Sequence, residues 1–302
     1  MLIETGFILA AGFGTRMGII GKSVPKVLWP IFDTTLLGLQ IHFLKDLGIK
    51  NIYINVHHQK ELVIDYCEKN FPDINILVEN EILDAGGGVH NFIEKSKISN
   101  SFIVLNSDQF FKVDIEQIRS KLSLESYHRA KLFTMNGNSD YSSLNLNQDG
   151  RLIGISTKVD GPMFIGLSIV NPIGLKASLG KSKFFETVCN YKNESIYTQA
   201  LEGDFLDFGD IEKYHKSAFK LFAFLQENKE KRDDWIHKKI ISKNKLYKES
   251  YGCEQGGVLN FSDLAIKNQY VEKTIVLKEN TSPKLVKYKS IVYNDVIQEV
   301  NY

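Results

Sequence analysis

The 302 residues are 43% hydrophobic and 24% charged, and 37 basic against 36 acidic side chains leave a formal net charge of +1. Such a chain can bury a sizeable core, while its near-neutral charge excludes a global field that would recruit nucleic acid or an acidic membrane surface. No apolar run approaches the ~20 residues of a bilayer span, the N-terminus lacks the regions of a secretory signal, and three widely spaced cysteines (Cys67, Cys189, Cys253) indicate reduced thiols, so a cytoplasmic protein without membrane or nucleic-acid partners is expected.

The first stretch with chemistry in it is 7–31, FILAAGFGTRMGIIGKSVPKVLWPI. The apolar run Phe7–Ala11 reads as a buried strand that empties into a loop carrying Gly12, Gly14, Arg16 and Lys26. Glycines let the backbone bring N–H groups close to an anion, and Arg16 and Lys26 supply the positive charge a polyphosphate needs. Pro25 and Pro30 are expected to keep the segment around Lys26 extended rather than helical. A dinucleotide fingerprint fails here, because Gly14 is followed by Thr15-Arg16-Met17 before Gly18 and Pro25 comes soon after. A Walker A loop ending at Gly21-Lys22-Ser23 fails as well, since Arg16 stands where its first glycine belongs.

What remains, LAAGFGTRM at 9–17 with Pro25-Lys26 behind it, closely resembles the signature of the sugar-1-phosphate nucleotidyltransferases. The resemblance implies that Ala10, Ala11, Gly12, Gly14 and Thr15 bind the nucleotide and that Arg16 and Lys26 are catalytic. It runs over roughly residues 6–220 and implies a Rossmann-like, doubly wound α/β fold.

Helical spacing follows at 36–47 with Gly48 as a stop, then a strand at 51–56, a helix at 59–70 and a strand at 74–79. Strand alternating with helix argues independently for a mostly parallel sheet covered on both faces, with ligands at the carboxyl ends of its strands. At 79–88, ENEILDAGGG, three glycines are expected to lead into a helix beginning near Val89 and to present its N-terminal amides. In the resembled family this segment contacts the base, which implicates Glu79, Gly86 and Gly87. The Glu…GGG run is closest to the MurNAc-1-phosphate uridylyltransferases, so UTP is favoured.

The strand FIVLNSD ends at Asp108, which matches the family's metal-holding aspartate, while Asp114 caps the helix behind it. Strands at 131–135, 141–146, 151–156 and 163–170 are expected to form hairpins that wall a pocket. There the resemblance implies that Lys158 and Gly166 bind the sugar phosphate, although Thr157 and Ser142 depart from the family's usual glutamate and glycine. Further on, DFLDFGDIEKY at 204–214 resembles the family's WxDxGTPEDY segment, making Asp207 a second metal ligand and Asp210 a helix cap. DFG alone also matches a kinase metal motif, but no HRD loop precedes it and no APE follows.

The expected organisation is a nucleotidyltransferase domain over 1–224 and a C-terminal extension over 225–302, a helix followed by short strands in a small β-rich appendage, in the manner of a partial β-helix and available for homo-oligomer contacts. The expected reaction joins an NTP and a sugar 1-phosphate into an NDP-sugar and pyrophosphate, with Mg²⁺ held by Asp108 and Asp207. The alternatives are a mannose- or heptose-1-phosphate guanylyltransferase and a non-catalytic regulator that binds nucleotide sugars. An NAD-dependent oxidoreductase would need the fingerprint that this loop lacks.

Overall fold

A computed structural model describes residues 3–137, 140–157, 160–175, 180–227, 258–260, 274–278, 289–294 and 296–302. Their contacts divide the chain into two interleaved units: Met1–Gly12 with Phe43–Phe205, and Phe13–His42 with Leu206–Tyr302. The helix Leu36–Asp46 and the strand Asp204–Asp207 carry the chain from one unit into the other.

The first unit is built on a nine-stranded sheet. Thr5–Leu9 lies between Phe102–Asn106 and Asn51–Val56, with Asn75–Val78 beyond, and these four strands are parallel. Gly161–Val170 extends the sheet antiparallel from Phe102–Asn106 and pairs on with Ala130–Gly137, whose far side takes Ile196–Ala200 in parallel. The hairpin of Ser143–Leu146 and Leu152–Ser156 completes it. The α/β sheet expected from the strand and helix alternation is therefore present, and strand alternation explains its core. Phe7 points to one face, where it stacks on Phe92 of the helix Asp84–Ser96 at 4.6 Å, and Phe102 meets the same ring at 4.9 Å. Because the central strands are covered, their residues read as continuous apolar runs; Phe102 to Leu105 are all buried.

One element of this unit differs from the sequence expectation. Gly86, Gly87 and Gly88 lie inside the helix Asp84–Ser96, not ahead of it. A Cβ on Gly86 would come within 2.6 Å of the Lys183 carbonyl, one on Gly87 would strike the Gly180 carbonyl, and one on Gly88 would come within 2.9 Å of Asn55. Gly86 and Gly87 permit close approach of a neighbouring backbone and Gly88 that of a side chain, neither of which local spacing can reveal. Residues 196–200 form an edge strand because Ala130–Gly137 offers them a ladder.

In the second unit the helix Ile211–Glu227 packs against the signature segment through aromatics. Trp29 meets Tyr214 edge-on at 4.9 Å, Phe208 meets it at 5.8 Å, and the buried Tyr214 hydroxyl donates to the Pro30 carbonyl. A second, four-stranded sheet consists of Val258–Asn260, Thr274–Lys278, Ser290–Tyr293 and Val296–Glu299. Its first three strands are parallel, with Val258, Thr274 and Ser290 side by side at sixteen-residue intervals, and the fourth turns back antiparallel. The expected β-rich appendage is thus present, whereas the lysine-rich stretch at 238–248 lies outside the described residues.

Candidate active site

In the first unit the parallel strands place their exits side by side. Leu9 pairs with Asn106, so Ala10 and the Ser107-Asp108 turn leave adjacent strands at the carboxyl edge of the sheet, with Glu79 leaving two strands further along. A buried polar relay joins these exits. The Ala10 N–H donates to Asn55 Oδ1 at 2.7 Å, and Asn55 Nδ2 donates to Glu79 Oε1 at 2.8 Å. Asn55 is 3% exposed and Glu79 also 3%, so the relay is shielded from water. Desolvation raises the Glu79 carboxyl above the usual carboxylate range, more than the Asn55 hydrogen bond lowers it. Asn55 was not among the sequence candidates; its signal was a polar side chain in the strand NIYINV.

Gly166 sits at φ 75, where the register of its strand against Ala130–Gly137 shifts between Phe164 and Ser168. A Cβ there would strike the side chains of Gln109 and Asn106, so the glycine lets the sheet close over the turn that carries Asp108. Lys158 lies outside the described residues.

In the second unit the signature loop turns through Gly14, in a left-handed conformation at φ 62, into the one-turn helix Thr15–Met17. Met17 is buried beneath it, while Thr15 and Arg16 are exposed. Lys26 is not on extended chain as expected; it opens a one-turn 3-10 helix, Lys26–Leu28, because each proline restricts only the residue before it, Val24 and Trp29, and leaves 26–28 free to turn. The Leu28 N–H donates to the Pro25 carbonyl at 2.9 Å and the Trp29 N–H to that of Lys26 at 3.0 Å. The lysine still lies on the loop, since a Cβ on Gly14 would come within 3.2 Å of the Lys26 Cβ. Its Nζ donates to the Gly209 carbonyl at 3.2 Å, which brings the signature segment and the DFGD segment together as one cluster.

Asp207 is held within that cluster. Its Oδ1 accepts from the Gly209 N–H and its Oδ2 from Lys213 Nζ, both at 2.6 Å. Asp210 caps the helix behind it, accepting from the Lys213 N–H at 2.9 Å. Lys213, a partner that the sequence candidates omitted, stands six residues after the aspartate, on the helix face that looks back at it. No group of three or more His, Cys, Asp or Glu side chains that could hold a metal ion occurs among the described residues. A carboxylate oxygen is the ligand type that a hard cation takes, and Lys213 supplies the counter-charge for Asp207.

Residues 5–138 match a family described as nucleotidyl transferase. The chain is 30% identical over 219 residues to a D-glycero-alpha-D-manno-heptose 1-phosphate guanylyltransferase of Campylobacter jejuni, covering 69% of this chain and 96% of that enzyme. It is 26% identical over 300 residues to the bifunctional protein GlmU of Methanococcus vannielii, 97% of this chain but 60% of that longer protein. Among solved structures, HddC from Yersinia pseudotuberculosis complexed with GMP-PN superposes with a TM-score of 0.62 at 24% identity, covering 73% of this chain and 99% of its own. With the loop, the strand exits and an enzyme of this class matched over nearly its whole length, the chain belongs to the sugar-1-phosphate nucleotidyltransferase family.

Proposed function

We propose that residues 1–224 carry out Mg²⁺-assisted nucleotidyl transfer from an NTP to a sugar 1-phosphate. The observation that carries this reading is the Lys26–Gly209 hydrogen bond, which puts the signature lysine beside the segment holding Asp207. The attacking phosphate oxygen is already ionised at neutral pH, so the protein need supply position and charge and no general base. Ala10, Ala11, Gly12, Gly14 and Thr15 line the nucleotide, and Arg16 binds the departing β- and γ-phosphates. Lys26 neutralises charge where the incoming phosphate meets the α-phosphorus. Asp108 and Asp207 would hold the cation, which when bound neutralises phosphate charge. Glu79, Gly86 and Gly87 belong to the base side of the site, and Gly166 and Lys158 to the sugar side.

The Glu79…Gly88 run supports UTP. Similarity to the Campylobacter enzyme over 96% of that enzyme's length supports a second reading, GTP with a heptose 1-phosphate. The test is pyrophosphate release from an array that pairs each NTP with MurNAc, GlcNAc, glucose, mannose and heptose 1-phosphates in the presence of Mg²⁺. One strong pair identifies base and sugar together; silence across the array, with nucleotide sugar still bound, would replace the enzymatic reading with a regulatory one.

A further inference from the structure

The turn after Arg16 lacks a local cap. Ile19 stands at the N-cap of the one-turn helix Ile20–Lys22, and an isoleucine side chain cannot accept a hydrogen bond. The acceptor comes from 279 residues away: Gln298 Oε1 takes the Ile19 N–H at 3.1 Å and the Ile20 N–H at 3.4 Å. Gly18, at φ 66, makes room, because a Cβ there would collide with the Gln298 amide. Gln298 is on the strand Val296–Glu299, and the chain just beyond that strand is fastened to the helix that follows Asp207. There the Tyr302 hydroxyl lies 3.0 Å from His215 Nδ1, and Lys216 Nζ sits 4.0 Å above the Tyr302 ring.

We propose that Gln298 is a positioning residue that caps the Ile19–Ile20 turn and so holds the Arg16 loop ready for nucleotide phosphates, with the Val296–Tyr302 segment tying that loop to the Asp207 helix. The proposal rests on the reading of Arg16 as a phosphate ligand, so its test has one readout that does not depend on turnover. Amide hydrogen exchange and steady-state kinetics with GTP and with UTP are measured on the full chain and on Gln298→Ala, Gln298→Met and Gln298→Glu.

Losing an acceptor shared by two amides should speed exchange at Ile19 and Ile20 about fivefold or more in the Ala and Met variants and raise the KM for the accepted NTP about five- to tenfold. The KM for the sugar phosphate should stay within about twofold and the melting temperature within about 3 °C, as expected for a single capping contact. Gln298→Glu, which keeps an acceptor oxygen, should restore slow exchange. Unchanged exchange in Gln298→Met overturns the cap, and faster exchange with an unchanged NTP KM overturns the positioning role. A wild-type protein that turns over no pair removes the enzymatic reading instead, and the exchange data still decide the cap.

Discussion

Lys26 Nζ donates to the carbonyl of Gly209 at 3.2 Å across 183 residues of chain, so the signature lysine is braced by the loop that follows Asp207. A neutral side chain at this position loses both the brace and the charge. Lys26→Ala should lower kcat/KM by on the order of 10² or more, about 3 kcal/mol of transition-state stabilisation, while the fold survives because the lysine is not part of a core. Pyrophosphate release together with a circular dichroism melt checks this; near wild-type turnover would end the catalytic role.

Asp207 Oδ2 is paired with Lys213 Nζ at 2.6 Å, so a cation arriving at that carboxylate competes with a fixed ammonium. Lys213→Met should therefore lower the Mg²⁺ concentration that gives half-maximal rate by a few-fold, since one competing positive charge near the surface contributes on the order of 1 kcal/mol. Asp207→Asn should raise it, and chelation with EDTA should abolish turnover until Mg²⁺ is restored. Initial rates across a Mg²⁺ series distinguish the three, and an increase in the Lys213→Met requirement would show that the lysine supports the cation site.

The Tyr214 hydroxyl, wholly buried, donates to the Pro30 carbonyl. Tyr214→Phe keeps the aromatic contacts with Trp29 and Phe208 but takes that donor from the half-buried Pro30 carbonyl. The expected loss is about 1–3 kcal/mol of stability in urea unfolding, with a smaller effect on KM. A stability equal to wild type would mean that the carbonyl finds another donor.

Burial raises the Glu79 carboxyl above its ordinary value, so the folded protein holds this proton more tightly than the unfolded chain. The resulting stabilisation is present below the ordinary glutamate value and is lost as pH rises through the raised one, because the ionised carboxylate pays a desolvation cost only in the fold. Glu79→Gln keeps an acceptor for Asn55 Nδ2 and removes the titration. The variant should match wild type in stability at low pH and exceed it at neutral pH, as measured by denaturation across a pH series. Equal pH slopes for the two proteins would mean that Glu79 does not titrate in this range.

Much of the chemistry was legible in the sequence because it rests on local chain geometry. The glycines and arginine of LAAGFGTRM, and the DFGDIEKY segment with its capping Asp210, need only neighbouring residues to define them. The alternation of apolar strands and helices likewise reports the parallel sheet, since burial on both faces demands continuous apolar runs.

What spacing along the chain could not report are the meetings of distant residues. The purpose of Gly86 and Gly87 became visible only where the 180–183 backbone lies on the helix that contains them, and Lys26 proved helical because a single turn closes between Pro25 and Trp29. Asn55 beneath Ala10, Lys213 against Asp207 and Gln298 over Gly18 are all pairings across the fold. By itself the sequence determined the local elements: a strand feeding a cationic, glycine-bearing loop, and a carboxylate at the start of a capped helix. The tertiary structure alone decided which side chain braces each of them, because a buried amide or a paired carboxylate is satisfied by whatever partner folding brings within about 3 Å, whatever its distance along the chain.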